Sequence, residues 1–331
     1  MYNSEQKNRF MDAINLPSDK RSWARVIFDT TQKMEEDRGV DLAMLSGEDV
    51  GNALCSTGAM SSITIKNRIP FVIRYKKWCA ENGIDTVVIK PYEIVVDFSD
   101  SIRETMVYSP LNLFDIIHRA FPDKEGVKTV APIYRAYLWF AFAGLYEVDA
   151  AQVKSKDINF RACVVHYGGR WYQLQPEGLD DIRAAINLDA CERVMENGEI
   201  RRFRRAEGDE VIRGRRLSKT ISPERYVLKT LRTTIQTYFK QAGHPGMSYV
   251  KIRKSGLFYQ MLDREVHGMA VNFYTFAVDD FERDKHSDNV SENMRRRMIT
   301  RTANGYKQDY ISWKKAFTNE LKEEFDIDKL P

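Results

Sequence analysis

The chain has 331 residues, of which 43% are hydrophobic and 30% are charged. This balance argues against an intrinsically disordered chain and leaves enough apolar surface to bury two cores. No run approaches the roughly 20 apolar residues of a membrane-spanning helix, and the N-terminus shows no signal-peptide pattern. We therefore expect a two-domain protein that stays in the cytoplasm and has no membrane partner.

The cysteines and histidines show no metal-ligand spacing. Cys55, Cys79, Cys163 and Cys191 lie far apart, and no histidine pair follows the HExxH pattern. Zinc sites usually place two ligands within a few residues of each other. We therefore expect reduced thiols and no metal, nucleotide or other cofactor.

Basic residues cluster along the chain, although the net charge is only +4. Residues 61–80 contain five basic and no acidic side chains, and residues 193–232 contain twelve basic and six acidic ones. The second block includes RRFRR at 201–205 and RGRR at 213–216. Such blocks favour nucleic acid, whose phosphates attract Lys and Arg. Solvated helix faces and loops are the alternative interpretation of any single block.

The N-terminal third reads as helical. After helical residues 6–54, the segment 61–85 predicts a long helix that ends at Asn82-Gly83, with a bend or a late start at Pro70. A further amphipathic helix covers 108–121, and the polar stretch 122–128 predicts a linker. We therefore expect a helical domain over 1–121, with 1–55 as a candidate separate arm, and a second domain over 129–331.

The second domain should open with a buried helix at 130–143, a turn, and another helix ending near Lys156. Gly168-Gly169 lies between β-rich residues and predicts a hairpin. A basic, glycine-punctuated excursion covers 197–219, and helix dominates from Ser222 onward.

Two segments in this order resemble the tyrosine recombinase (phage integrase) family, over about residues 61 to 315. SSITIKNRIPFVIRYKKWCAENGI is similar to the family's first core-binding helix, with Thr64, Val72, Tyr75 and Trp78 in the family's places. YRAYLWFAFAGLYEVDAAQVKSKDIN is similar to the block that carries the family's first catalytic arginine. The resemblance implies a mainly α fold with a small β component. It also implies a two-domain clamp on DNA, made of a helical core-binding domain and an α+β integrase-type catalytic domain.

The family's chemistry uses two arginines on the scissile phosphate, a tyrosine nucleophile, and lysine and histidine for proton transfer. Tyr146 stands in the place of the first arginine, and Asp149 matches the companion acid. A neutral phenol cannot replace a guanidinium on phosphate. Tyr146 either stacks on a base or sugar or packs under the turn with its hydroxyl bonded, and we favour packing. Arg170 lies near the place of the hairpin lysine, and its pKa is too high for useful proton donation.

The family's His-x-x-Arg block matches VKIRKSG, in which Val250 takes the place of histidine and Arg253 the place of arginine. Tyr306 and Tyr310 are both candidates for the nucleophile's position. Removing one transition-state donor costs about a hundred- to a thousandfold in rate. Several losses together predict that strand cleavage is lost and that these positions are vestigial.

We therefore expect a sequence-specific double-stranded DNA-binding protein without recombinase activity. The chain also resembles the integrase-like master repressors of SPβ-type Bacillus prophages, and this resemblance implies a phage or prophage transcriptional repressor that maintains lysogeny. The alternatives are an active recombinase, with Arg135 or Arg170 replacing the missing cations, and a recombination accessory factor. The predicted DNA contacts are Lys66, Arg68, Arg74, Lys77, Arg201, Arg202, Arg204, Arg205, Arg213, Arg215, Arg216, Lys251, Arg253 and Lys254.

The expected partner is operator DNA near the nucleoid of a bacterial host. Self-association on DNA and release by an anti-repressor protein or a peptide signal stay open at this point.

Overall fold

The computed structural model describes residues 1–55, 62–195, 197–214, 226–283 and 290–331. These residues form two compact units, each with its own hydrophobic core. Unit 1 comprises residues 1–102 and 272–316, and unit 2 comprises residues 103–271 and 317–331.

Helices make up most of the described chain. They are α1 Ser4–Ala13, α2 Ser18–Arg38, α3 Gly47–Cys55, α4 Ser62–Glu81, α5 Ser99–Thr105, α6 Pro110–Ala120, α7 Ala131–Phe142, α8 Glu147–Gln152, α9 Leu179–Ile186, α10 Arg232–Gln241, α11 Tyr249–Val266, α12 Phe273–Arg283, α13 Glu292–Ala316 and α14 Thr318–Phe325. A π-helical turn at Val227–Leu231 precedes α10.

Two small antiparallel sheets belong to unit 2. Strands β1 Ile158–Asn159, β2 Val164–Tyr167 and β3 Arg170–Gln173 form the first sheet in that order, and β4 Ala190–Val194 pairs with β5 Ile200–Arg204 in the second. The turn between β2 and β3 is Gly168-Gly169, as predicted, and both glycines have positive φ. The predicted fold class, mainly α with a small β component, is confirmed.

An aromatic cluster forms the core of unit 1. The Phe10 ring lies 5.5 Å from Phe71 and 5.2 Å from Tyr75, so α1 packs directly on α4. A fully buried ion pair joins Lys7 to Glu35 beside this cluster, with Lys7 Nζ 2.7 Å from Glu35 Oε2. Burial raises the pKa of Glu35 despite that partner. Residues 1–55 therefore share one core with α4.

Helix α7 forms the centre of unit 2, where most of its side chains are buried. Helix α11 packs closely against it at Gly256, because a Cβ at this position would lie 1.8 Å from the carbonyl oxygen of Phe142. Asp181 on α9 also fixes α7 by accepting hydrogen bonds from Arg135 Nε at 2.7 Å and Trp139 Nε1 at 2.9 Å. These contacts set the position of the turn that follows α7.

Two predicted details differ from the structure. Helix α4 begins at Ser62 and contains Pro70, so of the two alternatives at this proline, a bend or a late start, the late start is excluded. Helix α8 ends at Gln152, short of the predicted end near Lys156, and a 3-10 turn follows at Ser155–Asp157. The predicted linker 122–128 lies within unit 2, and the division into domains over 1–121 and 129–331 stays a prediction.

Candidate nucleic-acid interface

Three exposed cations form one face of α4. Lys66, Arg74 and Lys77 are all exposed and lie eight and then three residues apart along the helix. At 3.6 residues per turn, this spacing places them on the same side over about 16 Å. Lys77 lies 3.7 Å from Glu81 in an exposed pair that contributes little free energy. We call Lys66, Arg74 and Lys77 the α4 cationic face.

The other two cations of α4 are buried. Arg68 is 6% exposed, and its Nη1 donates to Thr30 Oγ1 at 3.1 Å. Lys76 is 3% exposed and donates to the carbonyl oxygens of Ala43 at 2.7 Å and Leu45 at 2.6 Å. Arg68 therefore packs inside unit 1, which corrects its assignment as a DNA contact.

The hairpin formed by β4 and β5 presents a second basic surface. Arg201, Arg202 and Arg204 on β5, three of the predicted DNA contacts, are exposed. Arg193 of β4 lies directly opposite Arg201 in the sheet register. Arg201 forms a weak exposed pair with Glu199 at 3.4 Å, which offsets little of its charge. The hairpin surface therefore carries a local excess of positive charge.

Arg205 and Arg213 support this hairpin from within. Arg205 is 4% exposed and donates to four backbone carbonyls, including those of Ala185 at 2.6 Å and Val211 at 2.9 Å. Burial lowers the pKa of Arg205 to about 10. Arg213 is half-buried and donates to the carbonyls of Gly208 and Ile186. Arg205 is thus a structural residue, which corrects the prediction; Arg215 and Arg216 lie outside the described residues.

The unit 2 positions that were predicted to be vestigial, which we call the vestigial centre, contain a stacked pair, Tyr146 and Arg253. Tyr146, which directly precedes α8, is half-buried, and its ring lies 3.6 Å from the guanidinium carbon of Arg253 on α11. Arg253 Nε also donates to the carbonyl of Gly144 at 2.9 Å, where the glycine has φ of 105°. The tyrosine in the place of the first arginine therefore holds the second arginine, which neither interpretation of Tyr146 anticipated.

The other predicted positions near this pair differ in exposure. Val250 is 60% exposed on the first turn of α11, an apolar side chain in the place of the histidine. Asp149 is half-buried on α8, and Arg170 is exposed at the start of β3. Lys251 and Lys254 are half-buried, and Lys254 Nζ lies 5.8 Å from the Phe258 ring centroid.

A cavity of about 290 Å³ lies beside Val250 and is lined by Tyr137, Glu147, Arg232, Ser248 and Tyr249 among others. Arg232 forms an ion pair with Glu147, with Nε 3.2 Å from Oε1. Arg135 is 3% exposed and bound to Asp181 and Asp123. Arg135 and Arg232 are therefore both neutralised by carboxylates of unit 2.

Both candidate nucleophiles are buried in unit 1. Tyr306 is 9% exposed, and its hydroxyl donates to Asp280. Tyr310 is 1% exposed, with its ring 5.6 Å from Phe273 and 6.1 Å from Trp313. Arg253 and Tyr146 belong to unit 2.

The structure adds cations that the predicted contacts omitted. Exposed arginines at 296, 297 and 301 on α13 line a groove with Lys66 of α4, all within unit 1. The run MRRRMITR at 294–301 could have indicated them, because it contains four arginines, as RRFRR does. Among the described residues, none of the helices combines the length and hydrophobicity of a membrane span. The same residues contain no cluster of ligands that could hold a metal ion.

Comparisons with known proteins give a family-model match over part of the chain. No curated protein sequence matches it. The integrase from mycobacterium phage Brujita is a similar solved structure, with 14% identity over 98% of each chain, but its TM-score of 0.31 is too low to support conclusions. Residues 1–81 match the family model for the MrpR N-terminal core-binding domain, and this segment includes α4 and its cationic face.

Proposed function

We propose that this protein binds double-stranded DNA sequence-specifically and represses phage or prophage transcription, maintaining lysogeny, without cutting the DNA. The observation that carries the proposal is the α4 cationic face. Its three exposed cations lie within the segment that matches a core-binding domain model. Aligned cations on one helix face can bind successive phosphates and position neighbouring side chains on base edges.

The vestigial centre supports binding without cleavage. Strand cleavage requires positive charge on the phosphate and an accessible nucleophile. Tyr146 and Val250 supply no charge, while Arg253 is held by the Tyr146 ring and the Gly144 carbonyl. Tyr306 and Tyr310 are buried in the core of unit 1. Bound DNA would therefore stay intact, and a protein that occupies a promoter without cutting it blocks transcription.

Maintaining lysogeny requires stable occupancy and a means of release. We include self-association on DNA in the proposal, because contacts between copies on neighbouring sites raise the effective concentration of each copy. Release of the repressor from DNA by an anti-repressor protein or a peptide signal completes the proposal.

Mobility shifts with phage promoter fragments and shuffled fragments of equal length test this function. We expect a clear preference for particular promoter fragments. The triple change Lys66→Ala, Arg74→Ala and Lys77→Ala should weaken binding and flatten its salt dependence by about one unit of slope per lost phosphate contact. The matched control removes three exposed cations from α2, Lys20→Ala, Arg25→Ala and Lys33→Ala. Equal affinity for all fragments, or equal effects of both triple changes, would reject the proposal.

A further inference from the structure

A basic groove between α4 and α13 lies beside the α4 cationic face. It has a volume of about 540 Å³ and is lined by Lys66, Arg296, Arg297, Thr300, Arg301, Asn304, Gly305 and Gln308. All of these residues belong to unit 1. The groove therefore joins the N-terminal helices to a helix more than two hundred residues later in the chain.

One face of α13 forms a wall of this groove. Arg297, Arg301, Asn304 and Gln308 follow each other at spacings of four, three and four residues, which places them on one side of the helix. Across the groove, Lys66 Nζ lies 3.4 Å from Gln308 Oε1. Lys66 therefore belongs to both the groove and the α4 cationic face, so the two surfaces are continuous.

The charge of the groove is poorly neutralised. Among the described residues that line it, none is acidic. Arg296 is paired with Glu292, with Nε 3.0 Å from Oε1. In contrast, neither Arg297 nor Arg301 forms an ion pair with another residue of the described ranges, and both are exposed. Two guanidinium groups and the Lys66 ammonium thus converge on one open space.

The side chains between these cations are of the type that contacts a nucleic-acid backbone. Thr300, Asn304 and Gln308 are neutral hydrogen-bond donors, and such side chains share phosphate contacts with Arg and Lys in DNA complexes. Arginine binds phosphate through a planar fork of donors.

We propose that this groove holds a stretch of the phosphodiester backbone of bound DNA, with Arg297, Arg301 and Lys66 on its phosphates. This inference rests on the proposed DNA-binding function and adds α13 to the interface. Phosphate contacts fix the position of the protein on the duplex and do not read its sequence. The groove therefore supplies affinity and register, and its contribution should be the same on every DNA sequence.

The test compares Arg297→Ala/Arg301→Ala with the control Arg9→Ala/Arg25→Ala, which removes two exposed arginines from α1 and α2. Affinity for a preferred fragment and a shuffled fragment is measured over a salt series. We expect the groove variant to lower the slope of log K against log salt by about 2 on both fragments. The control should keep the wild-type slope. Circular dichroism and a second variant, Arg297→Gln/Arg301→Gln, separate lost charge from lost folding.

Three results would overturn the inference. One is a wild-type slope in both groove variants, and another is a loss confined to the preferred fragment, which would indicate base contacts. The third is that millimolar inorganic phosphate displaces DNA from the wild-type protein more strongly than chloride does at equal ionic strength, and that this difference disappears in the groove variant. Such a result would indicate a free-phosphate site. If the wild-type protein bound neither fragment, the proposed DNA-binding function itself would fail.

Discussion

The guanidinium carbon of Arg253 lies 3.6 Å from the centre of the Tyr146 ring, while its Nε donates to the carbonyl of Gly144 at 2.9 Å. This distance is well within the range of a cation–π interaction. In the recombinase family that the sequence resembles, two arginines at these places act together on phosphate. Here Tyr146, in the place of the first arginine, holds Arg253, in the place of the second. The pair therefore stabilises the turn between α7 and α8.

Tyr146→Ala should lower the free energy of unfolding by about 1 kcal/mol, because it removes the ring from the Arg253 guanidinium. Tyr146→Phe keeps the ring and should therefore lose less stability than Tyr146→Ala. Urea unfolding of both variants measures the difference. Equal losses for Ala and Phe would show that the stacked ring contributes nothing.

Arg204 and Arg205 are neighbours with opposite roles. Arg205→Ala should destabilise unit 2 by about 2–4 kcal/mol, because it leaves several buried carbonyls without donors. Arg204→Ala removes an exposed side chain and should leave stability almost unchanged while weakening DNA binding. Thermal unfolding and mobility shifts on the two variants separate these effects. The roles are wrong if Arg204→Ala is the more destabilising change.

Lys76 should make stability depend on pH. Burial lowers its pKa to about 8 in the folded protein from an ordinary value near 10.5. Between these values the unfolded chain binds more protons, so stability rises as pH increases through this window. The buried charge costs stability below about pH 8.

The matched variant is Lys76→Met, which cannot titrate. From pH 7.5 to 9.5 the free energy of unfolding of the wild-type protein should rise relative to Lys76→Met by about 2 kcal/mol. The comparison cancels the titration of tyrosines, which both proteins share. A constant difference across this range would mean that Lys76 keeps an ordinary pKa.

Strand cleavage should be absent. On a supercoiled plasmid that carries bound sites, the wild-type protein should form no covalent protein–DNA adduct. Tyr146 and Val250 supply no charge to stabilise the transition state, and Arg253 is held by the Tyr146 ring and the Gly144 carbonyl. Tyr306→Phe and Tyr310→Phe should therefore behave like the wild-type protein. Adducts that disappear with either change would establish the alternative, an active recombinase with an atypical site.

Periodicity in the sequence was sufficient to predict α4, α7 and the β2–β3 hairpin, because each has a local signal. The same periodicity also indicates which cations of the basic blocks are buried. Arg68, Val72, Lys76 and Cys79 follow helical spacing, and all four are buried on one side of α4. Likewise Arg205 lies two residues after Phe203, so at strand spacing their side chains share one face, whereas Arg204 points to the other face. The predicted DNA contacts therefore included Arg68 and Arg205, although their spacing indicates that they are buried.

Contacts between distant segments could not be predicted in this way. Tyr146 and Arg253 are separated by more than a hundred residues, and Lys66 and Gln308 by more than two hundred. Neither pair has a local pattern, since each depends on how helices pack in its own unit. The stacked pair and the α4–α13 groove consequently required the three-dimensional structure.

Nuclease footprinting of the wild-type protein on end-labelled phage promoter fragments tests the central claim, sequence-specific binding without cutting, most directly. We predict discrete protected sites at a protein concentration that leaves shuffled fragments unprotected. The same fragments, incubated without nuclease and run under denaturing conditions, should stay full length. Uniform or absent protection, or strand breaks at the protected sites without nuclease, would contradict the account.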